Sequence, residues 1–225
     1  MKPNTQHLHY FLTLYILFFI VLLAAVFQYP AAELHLLMNS NHTAFGDWFF
    51  RLWTEWGGLL VPNIILVLLF FYRYSIATYM AVSQLVGFTV SSTAKLAFNE
   101  PRPLLYFQQH FPDISLPLVQ GVDMYSIHSF PSGHTVTSFA LFFGFSLCVR
   151  NKWLKLLFFF MAALTGYSRV YLSQHFAADI LAGSVIGILS AWACYPILKK
   201  MDRDWKKHAL TDVFLKKNRA IHAVN

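Results

Sequence analysis

The chain has 225 residues, enough for one domain, and 57% of them are hydrophobic while only 12% are charged. That balance, with 23 phenylalanines, excludes an ordinary soluble globule and indicates a membrane protein. A net charge of +7 would suit nucleic acid in a polar chain, but the cations here are distributed as a membrane topology requires, and no nucleic-acid partner is expected.

A hydrocarbon core about 30 Å thick needs roughly 17–25 apolar residues per helix. Six runs meet that measure, near 10–29, 57–73, 76–98, 133–149, 153–172 and 176–198. The first follows a single Lys and lacks a small-x-small cleavage site, so it is expected to stay in the membrane. Residues 33–56 carry Trp48, Phe49, Trp53 and Trp56 near helical spacing, which predicts a helix lying in the outer interface. The second run is the shortest and contains Pro62 and Asn63. The 104–130 connector is long for a compact domain and holds Tyr106, Phe107, Asp113, Asp123 and Tyr125; substrate choice is expected to reside there. Cys148 and Cys194 read as buried thiols rather than a disulfide. The expectation is an all-α polytopic membrane protein with six transmembrane helices and an outer interfacial helix. It forms a single domain over 1–225, with its motif core at 57–198 and a cytoplasmic basic tail at 199–225.

Orientation follows from the short loops. Lys2, Arg73, Arg150, Lys152, Lys155 and the eight Lys and Arg after Leu198 place thirteen of the seventeen cations on one side, which makes both termini cytoplasmic. The tail's cations suit anionic inner-leaflet lipid, at about 1 kcal/mol each near the surface; the sequence points to no particular protein partner. Arg51, Lys95, Arg102 and Arg169 fall on the outer side.

Three of those four outer cations belong to three short strings: KLAFNEPRP at 95–103, PSGH at 131–134 and SRVYLSQHFAAD at 168–179. Ionisable residues inside or beside membrane helices are costly, so the strings read as a working site. Six spans bring all three to the outer face, where they can converge. Arg102 and Arg169 present planar forks suited to phosphate oxygens, and Lys95 adds a point charge. Ser132 and Gly133 open the fourth span, where free N–H groups bind anions; the Ser132 hydroxyl can donate to a phosphate or cap the helix. His175 and Asp179, four apart, share a helical face, so the carboxylate can bind one ring nitrogen and leave the other to attack. His134, arriving from another helix, is placed as general acid for the leaving alcohol and then base for water. Three cations would repel a divalent ion and no second carboxylate cluster is apparent, so neither metal nor cofactor is expected.

Written as K-x6-R-P, P-S-G-H and S-R-x5-H-x3-D, the strings resemble the signature of the phosphatidic acid phosphatase type 2 superfamily, integral-membrane lipid phosphate phosphatases. The resemblance covers about 57–198. It implies metal-independent hydrolysis through a phosphohistidine, with His175 as nucleophile and His134 as acid and base. It also implies a membrane lipid phosphate as substrate: undecaprenyl pyrophosphate, phosphatidylglycerol phosphate, phosphatidic acid or a lipid A phosphate. The expected location is the inner membrane of a bacterium, with the site facing the periplasm. A lipid-to-lipid phosphotransferase would share the intermediate. A phospholipid transporter would bind without cleaving, but repeated halves and broken helices, common in transporters, are not seen.

Overall fold

The computed structural model describes residues 5–203, which are helical with no strand among them. The helices are α1 (Leu8–Gln28), α2 (Ala31–Asn39), α3 (Ala44–Trp53), α4 (Leu60–Tyr72), α5 (Tyr74–Phe98), α6 (Pro103–His110), α7 (Gly133–Cys148), α8 (Lys152–Tyr171) and α9 (Ala177–Arg203), with a 3-10 turn at Thr54–Trp56. Lys2 and the tail beyond Arg203, on which part of the orientation argument rests, lie outside the described residues.

Each of the six expected spans corresponds to a helix, but the helices differ in how well they suit a bilayer. By length and composition, α1 and residues 177–201 of α9 can each cross a membrane, and Ala44–Trp56 with Leu60–Tyr72 can do so as a pair bent by 42°. The serines, threonines, Gln84 and Lys95 of α5, and Lys155 and Arg169 of α8, lower the mean hydropathy of those two helices. α7 has only 16 residues. Large apolar side chains nevertheless face outward on several helices, among them Ile16, Leu17 and Ile20 on α1, Ile64, Val67 and Leu68 on α4, Leu85 and Phe88 on α5, and Leu157 and Phe160 on α8. A soluble monomer rarely exposes so much contiguous apolar surface; hydrocarbon covers it without cost.

The centre of the bundle is α7, most of which is buried against α5, α8 and α9. Glycines on α9 permit the close approach. A Cβ at Gly187 would lie 2.5 Å from the Val136 carbonyl oxygen, and one at Gly183 would lie 2.8 Å from that of Ser132. Small residues four apart are the usual means of bringing helices together where lipid supplies no hydrophobic drive. At the far end of α7 the buried Lys155 Nζ donates to the Ser146 carbonyl at 2.5 Å, setting a cation against the negative end of the helix. Lys152 lies near that end too, 5.8 Å from the Tyr10 ring centroid.

One expectation needs revising. The 33–56 segment is not one helix: after Asn39 the run Ser-Asn-His-Thr breaks it, and Thr43 caps a new start by accepting the Gly46 N–H at 3.0 Å. Trp56, partly buried, packs against the core through Phe142, with ring centroids 5.9 Å apart, rather than standing free at the interface. The 104–130 connector contains a helix. It opens with α6, where Pro103 occupies the first helical position and loses no hydrogen bond there. Cys148 and Cys194 are buried and unbridged.

Candidate active site

The corner between α8 and α9 is a tight hydrogen-bonded loop. The Arg169 carbonyl accepts from both Gln174 N at 2.9 Å and His175 N at 3.1 Å, and Ser173 takes a left-handed φ of 51° to complete the turn. Asp179 then stands in the first turn of α9, and its Oδ2 reaches back to the Phe176 N–H at 2.9 Å, as acids at that position do. The same oxygen accepts from Ser129 Oγ at 2.5 Å and faces His175 Nδ1 at 3.2 Å. Since a carboxylate only accepts, the His175 proton belongs on Nδ1 and the lone pair on Nε2. His175 is 1% exposed. Burial first, then the charges of Arg102, Arg169 and Lys95, hold its ring well below the ordinary histidine range, so it is neutral.

Ser132 N donates to the Asp179 carbonyl at 3.1 Å, which joins the second string to the third. Ser132 is the N-cap of α7: its hydroxyl oxygen accepts from Thr135 N at 3.4 Å and Thr135 Oγ1 at 2.9 Å, which leaves its own proton to donate. The first string arrives from α5. Lys95 Nζ donates to the His128 carbonyl at 2.6 Å, and Lys95 Cε lies 3.9 Å from the point a Gly133 Cβ would occupy. Arg102, just before α6, donates from Nε to the Ile127 carbonyl at 3.1 Å and from Nη1 to Gln174 Oε1 at 2.9 Å, and sits 5.0 Å from the Tyr125 ring centroid. Arg169 is buried and donates from Nη1 to Thr54 Oγ1 at 2.6 Å, while its Nε has no partner among the described residues. His134, in the first turn of α7, makes no side-chain hydrogen bond among them, and faces the cations Arg169, Arg102 and Lys95 together with the neutral His175 ring. The structure thus brings together Lys95, Arg102, Ser132, Gly133, His134, Arg169, His175 and Asp179.

Four participants went unsuspected or undervalued in the sequence: Ser129, which holds Asp179; Gln174, which holds Arg102; Thr54, which holds Arg169; and His128, whose carbonyl takes Lys95 and whose Nδ1 lies 3.1 Å from the Lys95 carbonyl. Proximity was the only signal, and Thr54 lacked even that: His128 and Ser129 lie three and two residues before the PSGH string, and Gln174 immediately precedes His175. No cluster of three or more His, Cys, Asp or Glu side chains suited to a metal occurs among the described residues.

Helices joined at one end around three cations and a buried His–Asp pair describe a membrane enzyme that handles phosphate esters. Residues 72–203 match the model of the PAP2 superfamily, more than half of the chain, and the chain belongs to that superfamily. A lipid A 4'-phosphatase of Bacteroides thetaiotaomicron is 27% identical over 177 residues, covering 75% of this chain and 77% of that protein. The undecaprenyl-diphosphatase BcrC of Bacillus subtilis is 26% identical over 49% of this chain and 52% of its own length. Among solved structures, Aquifex aeolicus LpxE superposes with a TM-score of 0.62 at 27% identity, over 73% of this chain and 93% of that one. A transmembrane PAP2-type phosphatidylglycerolphosphate phosphatase from Bacillus subtilis gives 0.63 at 22% identity, over 88% and 98%, a likeness of fold. The protein is a multi-pass membrane phosphatase of the phosphoric ester hydrolase class.

Proposed function

We propose that this enzyme removes a phosphate from a membrane lipid by way of a phosphohistidine on His175. The observation that carries the reading is the His175–Asp179 pair. Its geometry assigns the proton to Nδ1 and leaves Nε2 as a neutral nucleophile beside Arg102, Arg169 and Lys95. Nε2 attacks phosphorus, a P–N bond forms, and the P–O bond to the lipid breaks as His134 gives its proton to the departing oxygen. Water then attacks phosphorus, His134 takes a proton from it, the P–N bond breaks to free His175 Nε2, and inorganic phosphate leaves. The three cations, the Ser132 hydroxyl and the N–H groups opening α7 hold the phosphoryl oxygens through both steps. That clamp supplies the charge a divalent metal supplies elsewhere, so the reaction needs none.

The relatives' names supply the candidate substrates: a lipid A phosphate, undecaprenyl pyrophosphate or phosphatidylglycerol phosphate, with phosphatidic acid as the superfamily's own lipid. We assign six spans to α1, α4, α5, α7, α8 and α9. The site then faces the periplasmic side of the inner membrane and both termini face the cytoplasm, as the Lys and Arg bias of the loops requires. Phosphate release without a second lipid present separates hydrolysis from lipid-to-lipid transfer.

The test is isotopic. Enzyme quenched during turnover of a ³²P-labelled lipid phosphate should carry acid-labile, base-stable label that is absent from His175→Ala. That variant should lose several decades of rate, and one keeping more than about a tenth of wild-type activity would remove His175 from the role.

A further inference from the structure

Helix α2 precedes the residues that match the superfamily, yet it is bonded directly to the catalytic corner. His35 and Asn39, four apart and therefore on one face, are both buried. Asn39 Nδ2 donates to the carbonyls of Val170 and Tyr171 at 3.0 and 2.6 Å, in the last turn of α8, where the Val170 carbonyl also accepts the Ser173 N–H at 3.0 Å. His35 Nε2 stands 3.4 Å from Ser173 Oγ, and its ring packs edge-on against Phe176, with centroids 5.4 Å apart. The Tyr167 hydroxyl returns the contact by donating to the Met38 carbonyl at 3.1 Å. The segment from Arg169 to His175 closes on itself through the Arg169 carbonyl, so fixing Val170, Tyr171 and Ser173 fixes the cation and the nucleophile at its two ends. Ser173 holds a left-handed backbone that a serine takes only when its surroundings impose it. Burial lowers His35 to about 4, against a smaller opposing pull from Asp179, so its ring is a neutral hydrogen-bonding group.

We infer that His35 and Asn39 are positioning residues for phosphoryl transfer, and that α2 is a clamp holding the Arg169–His175 loop in attacking geometry. The inference rests on His175 being the nucleophile. Misplacing a reacting group by about 1 Å can cost about a hundredfold in rate.

The experiment is single-turnover phosphoenzyme formation in detergent, using whichever of ³²P-labelled dioctanoyl phosphatidic acid and farnesyl diphosphate the wild type cleaves faster. Asn39→Leu should slow the rate constant of phosphoenzyme formation by about tenfold or more, with KM within about threefold. The amplitude, which counts folded active sites, should be unchanged. His35→Leu should behave likewise, and His35→Gln, whose amide reaches where Nε2 was, should restore the rate to within about threefold. A lowered amplitude with an unchanged rate constant would make α2 a matter of folding alone and overturn the clamp, as would equal rates for His35→Leu and His35→Gln. Should Asn39→Leu fail to fold, the His35 pair decides. Full activity in His175→Ala would overturn the nucleophile and the clamp together, whereas a dead His175→Ala beside a wild-type Asn39→Leu and His35→Leu would overturn the clamp alone.

Discussion

One oxygen of Asp179 serves three partners: it ends the α8–α9 corner through Phe176 N, takes the Ser129 proton and orients His175. Ser129→Ala removes a bond to a charged acceptor, an interaction worth about 1.5–3 kcal/mol. Because Phe176 N still anchors the carboxylate, kcat should fall about tenfold to a hundredfold with the fold intact; a variant with unaltered kcat would show that Ser129 does not tune the pair. Ser129 illustrates what the sequence conceals. His175 and Asp179 could be read because a four-residue interval maps onto one helical face, whereas a serine fifty residues upstream has no period relating it to the carboxylate it serves.

Histidine ionisation gives a second test at the same scale. His35 is held near 4 when folded against about 6.5 when unfolded, so the unfolded chain binds the extra proton first. Stability from this group is therefore complete above about 6.5, falls as pH drops toward about 4 and is flat below. The neutral His175 adds loss in the same direction. In detergent the melting temperature should decline across that window, and His35→Gln should decline less steeply than wild type. Parallel curves would mean that His35 is not held neutral.

At the scale of helices, the six apolar runs were legible from length alone, and each is a helix, the form in which an apolar segment satisfies its own backbone hydrogen bonds. What did not show was subdivision. The Asn39–Thr43 break lacks Gly or Pro, and α6 is eight residues long with little periodicity. The α7–α9 contact was likewise invisible, since a glycine pair is informative only once its partner helix is known. Gly187→Leu should force α9 off the Val136 backbone and lower stability by about 1–3 kcal/mol. His134 and Asp179 ride on the two helices being separated, so activity should fall with stability. Retained activity together with an unchanged melting temperature would show that the two helices can part without cost.

For the molecule as a whole, orientation and charge are the testable properties. In a variant lacking Cys148 and Cys194, Ser115→Cys should react with an impermeant thiol reagent added to intact spheroplasts, while Arg150→Cys should react only after permeabilisation. The reverse pattern would turn the site toward the cytoplasm and change its pool of lipids. Activity should persist in excess chelator, and vanadate, which adopts five-coordinate geometry, should inhibit. Loss of turnover on chelation with recovery on adding Mg²⁺ or Zn²⁺ would show that Lys95, Arg102 and Arg169 are insufficient. The thirteen-to-four division of Lys and Arg is what predicts the orientation, and the labelling tests it. How the outer connector meets the site depended on Gln174, a residue with no pattern around it.

That glutamine has a consequence for how such an enzyme can change its diet. Its carbonyl oxygen Oε1 takes Arg102, while its amide Nε2 reaches the Asp123 backbone carbonyl at 3.2 Å and Met124 Sδ at 3.0 Å, both in the 104–130 connector. The connector and the phosphate-binding Arg102 proposed above thus share a splice immediately beside His175, the proposed nucleophile. A connector transplanted from a relative should disturb turnover of every substrate, even a small soluble phosphate ester, unless the graft also presents a backbone acceptor to Gln174. New specificities in this lineage should accordingly arise by paired changes across that splice rather than by swapping the connector as an independent module.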